Sequence, residues 1–135
     1  TINDPSVLFS LPCDILIPAA TADVINRENV NDIKAKLILQ GANIPITTDA
    51  EEILHKKRIL SIPDFIANAG GVIMAAMEYA KKTEKEAFDA ISEKIKKNTD
   101  AIIKMALGED IIPRKAAEII SKERVLKAMR YQGGI

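Results

Sequence analysis

Three short apolar runs, rich in isoleucine and leucine, limit most strongly how this chain can fold: "DILIPA" from Asp14, "AKLILQG" from Ala35 and "RILSIPD" from Arg58. None of them alternates between apolar and polar residues, as a strand with one solvated face would. Runs without alternation are typical of parallel strands that are buried on both faces. Each run is followed by turn residues and a helical pattern, which is the order of a βαβ unit. The pattern therefore predicts an α/β fold with about three parallel strands.

Helical patterns fill the segments between the runs. After the first run, Thr21 and Asn26 can cap short helices that extend to Ile33. After the second run, Thr48 and Glu51 have the spacing of a capping box, in which each residue satisfies a backbone N–H of the other. The apolar residues of the helix that follows share one face: Ala50, Ile53 and Leu54.

Beyond Asp64 the sequence predicts helices and no further strand. Thr83 and Glu86 form a second capping box, and the helix it opens is expected to end near Gly108. Pro113 suits the first turn of a last helix. The predicted apolar stripes are Val72, Ala75, Ala76 and Tyr79; Phe88, Ile91, Ile95 and Ile102; and Ala116, Ala117, Ile120, Val125 and Met129. We expect residues 1–135 to form a single domain, with strand and helix units in 1–64 and a helical tail in 65–135.

Composition excludes several classes of function. Nineteen basic residues balance nineteen acidic ones and aromatic residues are few, which argues against a nucleic-acid binder. No apolar run approaches eighteen residues and no signal-peptide pattern is present, so we expect a soluble cytoplasmic protein without a membrane partner. The single cysteine, Cys13, is predicted to be a small buried hydrophobe. The single histidine, His55, is predicted to lie at the surface, and no metal site is expected because it lacks partner ligands.

Glycine and asparagine residues cluster just after the predicted strands. Gly41, Gly70 and Gly71 are three of only six glycines, and Asn43 and Asn68 stand beside them. In a parallel sheet this carboxyl edge is where ligands bind. An asparagine offers both a donor and an acceptor, which suits a ribose hydroxyl or a carboxamide. Alternatively, both asparagines cap helices or occupy turns in which glycine supplies a positive φ.

Four motifs together resemble the C-terminal part of the NAD(P)-binding domain in the glutamate dehydrogenase family, which includes leucine, phenylalanine and valine dehydrogenases. They are "CDILIPAA" from Cys13, "IKAKLILQGAN" from Ile33, "TTDAEEIL" from Thr47 and "PDFIANAGGV" from Pro63. "RKAAEIISKERVLKAM" from Arg114 is similar to the C-terminal helix of the family. The resemblance implies half of a Rossmann-like, doubly wound parallel sheet followed by C-terminal helices.

The resemblance also implies roles for individual residues. Asn68 would reach the nicotinamide carboxamide, and Asn43 the nicotinamide ribose. The glycine pair would let the backbone approach the nicotinamide end and the amino-acid substrate, and the main chain at Pro18 and Ala19 would line the cofactor cleft. The implied cofactor-binding residues are Pro18, Ala19, Asn43, Asn68 and Gly70, and the implied substrate-binding residues are Gly71, Val72 and Ala75.

The family reaction is the reversible oxidative deamination of an L-amino acid to a 2-oxo acid and ammonia, with NAD or NADP as cofactor. The family's catalytic lysines and aspartate lie upstream in a separate substrate domain, so no catalytic residue is expected in this chain. The spacing G-x-G-x-x-G, which cradles a pyrophosphate, does not occur among the six glycines. The chain alone is therefore predicted to be inactive, with an incomplete site that does not distinguish NAD from NADP. The alternative is a free-standing, inactive relative that acts as a nucleotide-binding or subunit-interaction module.

One residue bears on the choice of amino acid. Glutamate-specific members of the family carry a serine three residues after the valine of "NAGGV", where its hydroxyl helps to bind the distal carboxylate. Here Ala75 stands at that place, and its methyl group cannot donate a hydrogen bond. Val72 and the pair Ala75 and Ala76 are more similar to aliphatic-selective members, whereas "GANIPITTDA" favours the glutamate branch. Glutamate is the first expectation.

The first apolar run is expected to leave an open strand edge. In a doubly wound sheet it would lie beside the strand that carries the glycine-rich turn, which this sequence lacks. Exposed apolar edges recruit partners. We expect a homo-oligomer, or association through the exposed strand Ile15–Ile17.

Overall fold

The computed structural model describes residues 7–131 and residue 133. The elements in chain order are α1 (Val7–Ser10), β1 (Ile15–Leu16), a 3₁₀ turn (Val30–Asp32), β2 (Leu37–Leu39), α2 (Thr48–Lys56), β3 (Leu60–Ile62), α3 (Asp64–Ala67), α4 (Gly70–Tyr79), α5 (Glu84–Glu109) and α6 (Pro113–Tyr131). Among the described residues, every helix is either too short or too polar to span a lipid bilayer.

The three strands form one parallel sheet in the order β1-β2-β3, which confirms the predicted α/β class. Ile15 is paired with Leu37, and Leu37 with Leu60, so β2 is the central strand. Each strand is shorter than its apolar run. The shortest is β1, with two residues, at one edge of the sheet that the described residues form.

Helices cover both faces of the sheet. Ile38 of β2 is fully buried in a cluster with α2, whereas its neighbours Leu37 and Leu39 pack against a second cluster formed with α5 and α6. Successive side chains of a strand point to opposite faces, so this alternation requires a core on each side. The first cluster contains Ile25, Val30, Ile33, Ala35, Ile38, Ile46, Ala50 and Leu54. The second contains Ile62, Ile66, Ile102, Ala106, Ala116 and Ala117. Burial on both faces explains why the runs do not alternate.

The predicted boundaries of the last two helices are confirmed. The Thr83 hydroxyl accepts a hydrogen bond from the Glu86 N–H, and the Glu86 carboxylate accepts one from the Thr83 N–H, which completes the capping box of α5. That helix ends at Glu109, where Asp110 takes a left-handed conformation with a φ of 51°. Pro113 is the first residue of α6, as predicted.

The predicted boundaries of the earlier helices are wrong. The cap of α2 is Thr47 and not Thr48, and its side chain makes no capping bond, because the Thr47 hydroxyl and the Ala50 N–H both donate to Asp49 Oδ1. The Glu51 carboxylate, which was predicted to cap with Thr48, pairs with Arg114 instead. The short helices expected after Thr21 and Asn26 reduce to the 3₁₀ turn Val30–Asp32.

Several side chains lie in other surroundings than their sequence context predicts. Cys13 is exposed, because it precedes the edge strand β1 and no element covers it within residues 7–131. His55 is partly buried, with its Nε2 3.7 Å from Asp110 Oδ1. Phe88 and Val125 are more than half exposed. The predicted apolar stripes of α5 and α6 therefore include residues that do not pack into the core.

Candidate functional site

The segments that follow the three strands meet at the carboxyl edge of the sheet. The Pro18 carbonyl, after β1, accepts hydrogen bonds from the N–H groups of Gly41 and Ala42, after β2, at 3.1 and 2.9 Å. The side-chain amide of Asn68, after β3, donates to Asn43 Oδ1 at 2.8 Å and to the Gly41 carbonyl at 3.3 Å. The structure therefore brings together three of the sequence-predicted residues: Pro18, Asn43 and Asn68.

The two asparagines form a side-chain pair with unused hydrogen-bonding capacity. Their mutual bond uses one amide hydrogen of Asn68 and the oxygen of Asn43. In the part of the chain that the structure describes, the Asn43 amide and the Asn68 oxygen have no protein partner. Asn43 is exposed and Asn68 is partly buried, so a ligand can reach the pair from solvent. One donor and one acceptor side by side match the hydrogen-bonding groups of a carboxamide or a ribose.

Strain in the backbone lies beside this pair. Ile44 has a φ of 48°, although left-handed conformations are costly for a β-branched residue. Its N–H donates to Asp64 Oδ2 at 2.9 Å, and its carbonyl accepts from the Asp23 N–H at 2.9 Å. The backbone carbonyl of Asp64 also accepts the N–H of Asn68 at 2.8 Å. Asp64 therefore holds the backbone at or next to both asparagines.

Behind the edge lies a group of polar residues that the sequence did not reveal. We call it the Arg114 cluster: Gln40, Glu51, Ser61, Asp64 and Arg114. Arg114 donates from Nε to both Glu51 oxygens at 2.9 and 2.8 Å, and from Nη2 to Gln40 Oε1 and Asp64 Oδ1, both at 2.9 Å. Gln40 Nε2 donates to Glu51 Oε1 at 2.8 Å and to Ser61 Oγ at 3.0 Å. The other four members of the cluster are each less than 8 % exposed.

Charge in the cluster is balanced by direct contacts. Burial alone would raise the pKa of Asp64, but the hydrogen bond from the Ile44 N–H and the Arg114 guanidinium together lower it below the ordinary value. Burial alone would likewise lower the pKa of Arg114, and the contacts with Glu51 and Asp64 raise it instead. Asp64 and Arg114 are therefore both ionised at neutral pH.

Of the three glycines at the edge, only Gly41 allows a close contact, and none has a special φ. None of Gly41, Gly70 and Gly71 has a φ in the left-handed region, so the expectation that they supply a positive φ is wrong, whereas Asn68 does lie at the C-terminal cap of α3. A Cβ on Gly41 would lie 2.9 Å from the Cβ of Ala19. Ala19 therefore packs directly against the loop that carries Gly41. A Cβ on Gly70 would lie 3.7 Å from Ile91, an ordinary contact.

The residues with an implied substrate role lie on the outer side of α4. Gly71, Val72 and Ala75 are all exposed, Val72 at 77 %, and none of the described residues would meet a Cβ on Gly71 within 4 Å. This helix begins two residues after Asn68, so its first turn adjoins the asparagine pair. The structure thus places these three residues on one open surface and not in a closed pocket.

The sequence did not predict the contacts of Arg114, because these contacts join segments that are far apart in the chain. Glu51 was read as a helix cap, and Arg114 lies 63 residues further along the chain. One local signal existed: Gln40 and Asp64 each follow a buried strand within two residues, where a polar side chain must find a partner.

Comparisons with known proteins agree on the family. A sequence profile of the glutamate/leucine/phenylalanine/valine dehydrogenases matches residues 1–133. A glutamate dehydrogenase of Aeropyrum pernix is 44 % identical over 138 aligned positions, which cover 95 % of this chain and 33 % of the relative. An NAD-specific glutamate dehydrogenase of Staphylococcus aureus is 38 % identical, over 93 % of this chain and 32 % of the relative.

A solved structure extends the similarity to three dimensions. The L-tryptophan dehydrogenase of Nostoc punctiforme superposes with a TM-score of 0.85 at 28 % identity, over 93 % of this chain and 38 % of that protein. The chain thus spans about a third of the length of the curated relatives that it matches.

Proposed function

The chain belongs to the glutamate/leucine/phenylalanine/valine dehydrogenase family, and from that premise we propose that it forms the C-terminal part of an amino-acid dehydrogenase's NAD(P)-binding domain. The proposed parent activity is the oxidative deamination of an L-amino acid, with glutamate as the first candidate. Two named relatives, from Aeropyrum pernix and Staphylococcus aureus, are glutamate dehydrogenases. A cytoplasmic location is part of the proposal.

The Asn43 and Asn68 pair is the observation that carries this proposal. It lies at the carboxyl edge of a parallel sheet, where folds of this type bind their ligands. Asn68 would hold the nicotinamide carboxamide and Asn43 the neighbouring ribose, while the backbone at Pro18 and Ala19 lines the cleft. Gly70, at the start of α4, would let the backbone approach the nicotinamide end.

The residues present fit the nicotinamide half of a dinucleotide. The pair retains the Asn68 oxygen, which can accept from a carboxamide N–H, and the Asn43 amide, which can donate to a ribose hydroxyl oxygen. The nicotinamide, held by Asn43 and Asn68, would supply the hydride-accepting chemistry of the reaction. NAD is favoured as cofactor by the Staphylococcus aureus relative, whose name specifies NAD; NADP is the alternative.

The outer side of α4 is the proposed contact surface for the substrate. Gly71, Val72 and Ala75 are exposed, and Gly71 and Val72 lie in the first turn of α4, close to Asn68 in the chain. Ala75 offers no hydrogen bond to a distal carboxylate, so the glutamate preference would rest on residues outside this chain. We expect Ala75→Ser in the natural enzyme to raise kcat/KM for glutamate relative to leucine. An unchanged ratio would remove Ala75 from the substrate site.

Association through the open edge of the sheet completes the proposal. Ile15 and Ile17 are 53 % and 57 % exposed, and β1 pairs only with β2 among the described residues. An apolar strand edge of this kind favours pairing with another strand. We expect the isolated chain to associate with a second copy through Ile15–Ile17, and Ile17→Lys to weaken that association. Light scattering that shows a monodisperse monomer of the unchanged chain would contradict this.

The proposed cofactor site is tested by two ligands and two variants of the natural polypeptide that contains this sequence. NADH contains the nicotinamide half, whereas ADP lacks it. Asn68→Ala should weaken NADH binding on the order of tenfold, about the effect of one lost hydrogen bond, and leave ADP binding unchanged. Asn31→Ala is the matched control, because Asn31 lies exposed in the 3₁₀ turn before β2, away from the carboxyl edge. If Asn68→Ala leaves NADH binding unchanged, the proposed site is wrong.

A further inference from the structure

The Arg114 cluster connects the C-terminal helix to the asparagine pair. Arg114 is the second residue of α6, and its Nη2 donates to one oxygen of Asp64 at 2.9 Å. The other Asp64 oxygen accepts the N–H of Ile44 at 2.9 Å. Ile44 directly follows Asn43 in the chain, so two hydrogen bonds separate α6 from the backbone that carries Asn43.

Ile44 needs such a restraint. Its φ of 48° lies in a region that β-branched residues rarely occupy without external support. The hydrogen bond to Asp64 provides that support only while the Asp64 carboxylate keeps its orientation. Arg114 fixes this orientation because its planar guanidinium donates from Nη2 directly to Asp64 Oδ1 at 2.9 Å.

The same aspartate also locates the second asparagine. The Asp64 backbone carbonyl accepts the N–H of Asn68 at 2.8 Å, and the Asn68 side chain then donates to Asn43 Oδ1 at 2.8 Å. A rotation of the Asp64 side chain releases Ile44, and through it the position of Asn43. Asn68 then loses the partner that orients its amide.

We infer that Arg114 is a positioning residue, which acts through Asp64 and the strained Ile44 turn to hold Asn43 and Asn68 in their ligand-binding arrangement. This inference rests on the proposed function of the two asparagines. Arg114 itself touches neither asparagine, so its effect is conformational. The C-terminal helix thereby becomes part of the nicotinamide site, although it contributes no group to the ligand.

The cluster has two arms, which supply a matched control. The arm through Asp64 leads to the asparagine pair, whereas the arm through Glu51 joins Arg114 to α2. Both arms are buried, so a substitution in either one destabilises the protein. Only the Asp64 arm should alter the site if Arg114 acts as a positioning residue.

The test measures dissociation constants for NADH and ADP in the natural polypeptide that contains this sequence. Arg114→Lys keeps the charge and loses the planar fork, so it preserves folding better than an apolar replacement. We expect it to weaken NADH binding on the order of tenfold, comparable to one lost hydrogen bond, and to leave ADP binding within about twofold. Glu51→Gln should destabilise the protein without this selective loss.

A second substitution separates positioning from general disruption. Ile44→Gly removes the strain at the turn, because glycine takes a positive φ without steric cost. Added to Arg114→Lys, it should restore most of the NADH affinity, an outcome that a purely structural role for Arg114 does not produce.

Each of the remaining outcomes overturns the inference. Equal weakening of NADH and ADP by Arg114→Lys, no weakening at all, or an equal selective loss in Glu51→Gln would each contradict a positioning role. If Asn68→Ala weakens NADH binding and Arg114→Lys does not, this inference fails while the proposed function stands. If the unchanged protein does not bind NADH, both fail.

Discussion

Replacing Gly41 by alanine tests the close contact between the loops that follow β1 and β2. The new Cβ would lie 2.9 Å from Ala19 Cβ, 3.3 Å from Ile17 Cγ2 and 3.4 Å from Ala19 Cα. Carbon atoms pack best at roughly 3.5–4.0 Å, so the loops must separate by about 0.6 Å or more. Two hydrogen bonds from Gly41 and Ala42 to the Pro18 carbonyl, at 3.1 and 2.9 Å, resist that separation.

The expected cost of Gly41→Ala follows from this geometry. Overpacking at a tethered site costs about 1–3 kcal/mol of unfolding free energy. Stretching either hydrogen bond to the Pro18 carbonyl adds to the cost. Gly108→Ala is the matched control, since Gly108 lies within α5 and none of the described residues would meet its Cβ within 4 Å. Alanine stabilises a helix by about 0.5–1 kcal/mol relative to glycine, so the control should change stability in the opposite direction.

Urea unfolding, followed by circular dichroism, measures both variants on the same scale. We expect a lower midpoint for Gly41→Ala and a higher one for Gly108→Ala, with the slope unchanged in both. The reasoning would be refuted if Gly41→Ala proved as stable as the unchanged chain. That result would mean that the segment around Pro18 does not pack against the loop that carries Asn43.

Two further predictions concern α5. The backbone hydrogen bond from Thr83, with Lys82 close by, lowers the pKa of Glu86 from 4.5 to about 2. Because the folded pKa lies below the unfolded one, this contribution to stability is complete above pH 4.5 and is lost as the pH falls through about 2. Glu86→Gln should remove it, and parallel acid-unfolding curves for the two proteins would contradict the capping role. Ile102→Ala, at a position only 1 % exposed, should cost about 2–5 kcal/mol in urea unfolding; Leu107→Ala, at 72 % exposure, is the control, and equal costs would refute the assigned core.

Two sequence motifs of the same type show how far local reasoning reaches. Thr83 and Glu86 were predicted to cap a helix and do so, because both partners of each bond lie within three residues. Thr48 and Glu51 have the same spacing, yet Glu51 pairs with Arg114, 63 residues away. The partly buried Arg114 guanidinium instead donates to both Glu51 oxygens, which makes a charge-assisted pair. No local pattern contains that partner, so tertiary contacts decide the outcome.

The sheet was predictable for a related reason, and its edge was not. β2 carries apolar residues on both faces because α2 covers one face and α5 and α6 cover the other, and that double burial is visible as an unbroken apolar run. The run at β1 looks the same in sequence, but only Ile15 and Leu16 form the strand, and Cys13 just before it is exposed. The residue types of a strand do not show whether it pairs with a neighbouring strand on one side or on both.

The candidate site divides in the same way. Asn43 and Asn68 were predicted to lie at one sheet edge, since parallel strands bring their carboxyl ends together. In the structure, Asn68 Nδ2 lies 2.8 Å from Asn43 Oδ1. The left-handed conformation of Ile44 was not predictable, because a β-branched residue gives no signal for it. Only the fold shows that Asp64 restrains this residue.

We propose that this chain contributes the nicotinamide half of an amino-acid dehydrogenase site. The reduction of NAD or NADP by the natural polypeptide that contains this sequence tests this proposal, with L-glutamate, L-leucine, L-phenylalanine and L-valine as substrates. We expect one of these amino acids to reduce the cofactor with release of ammonia, and Asn68→Ala to impair the reaction. If none of the four amino acids reduces either cofactor, the proposal is wrong.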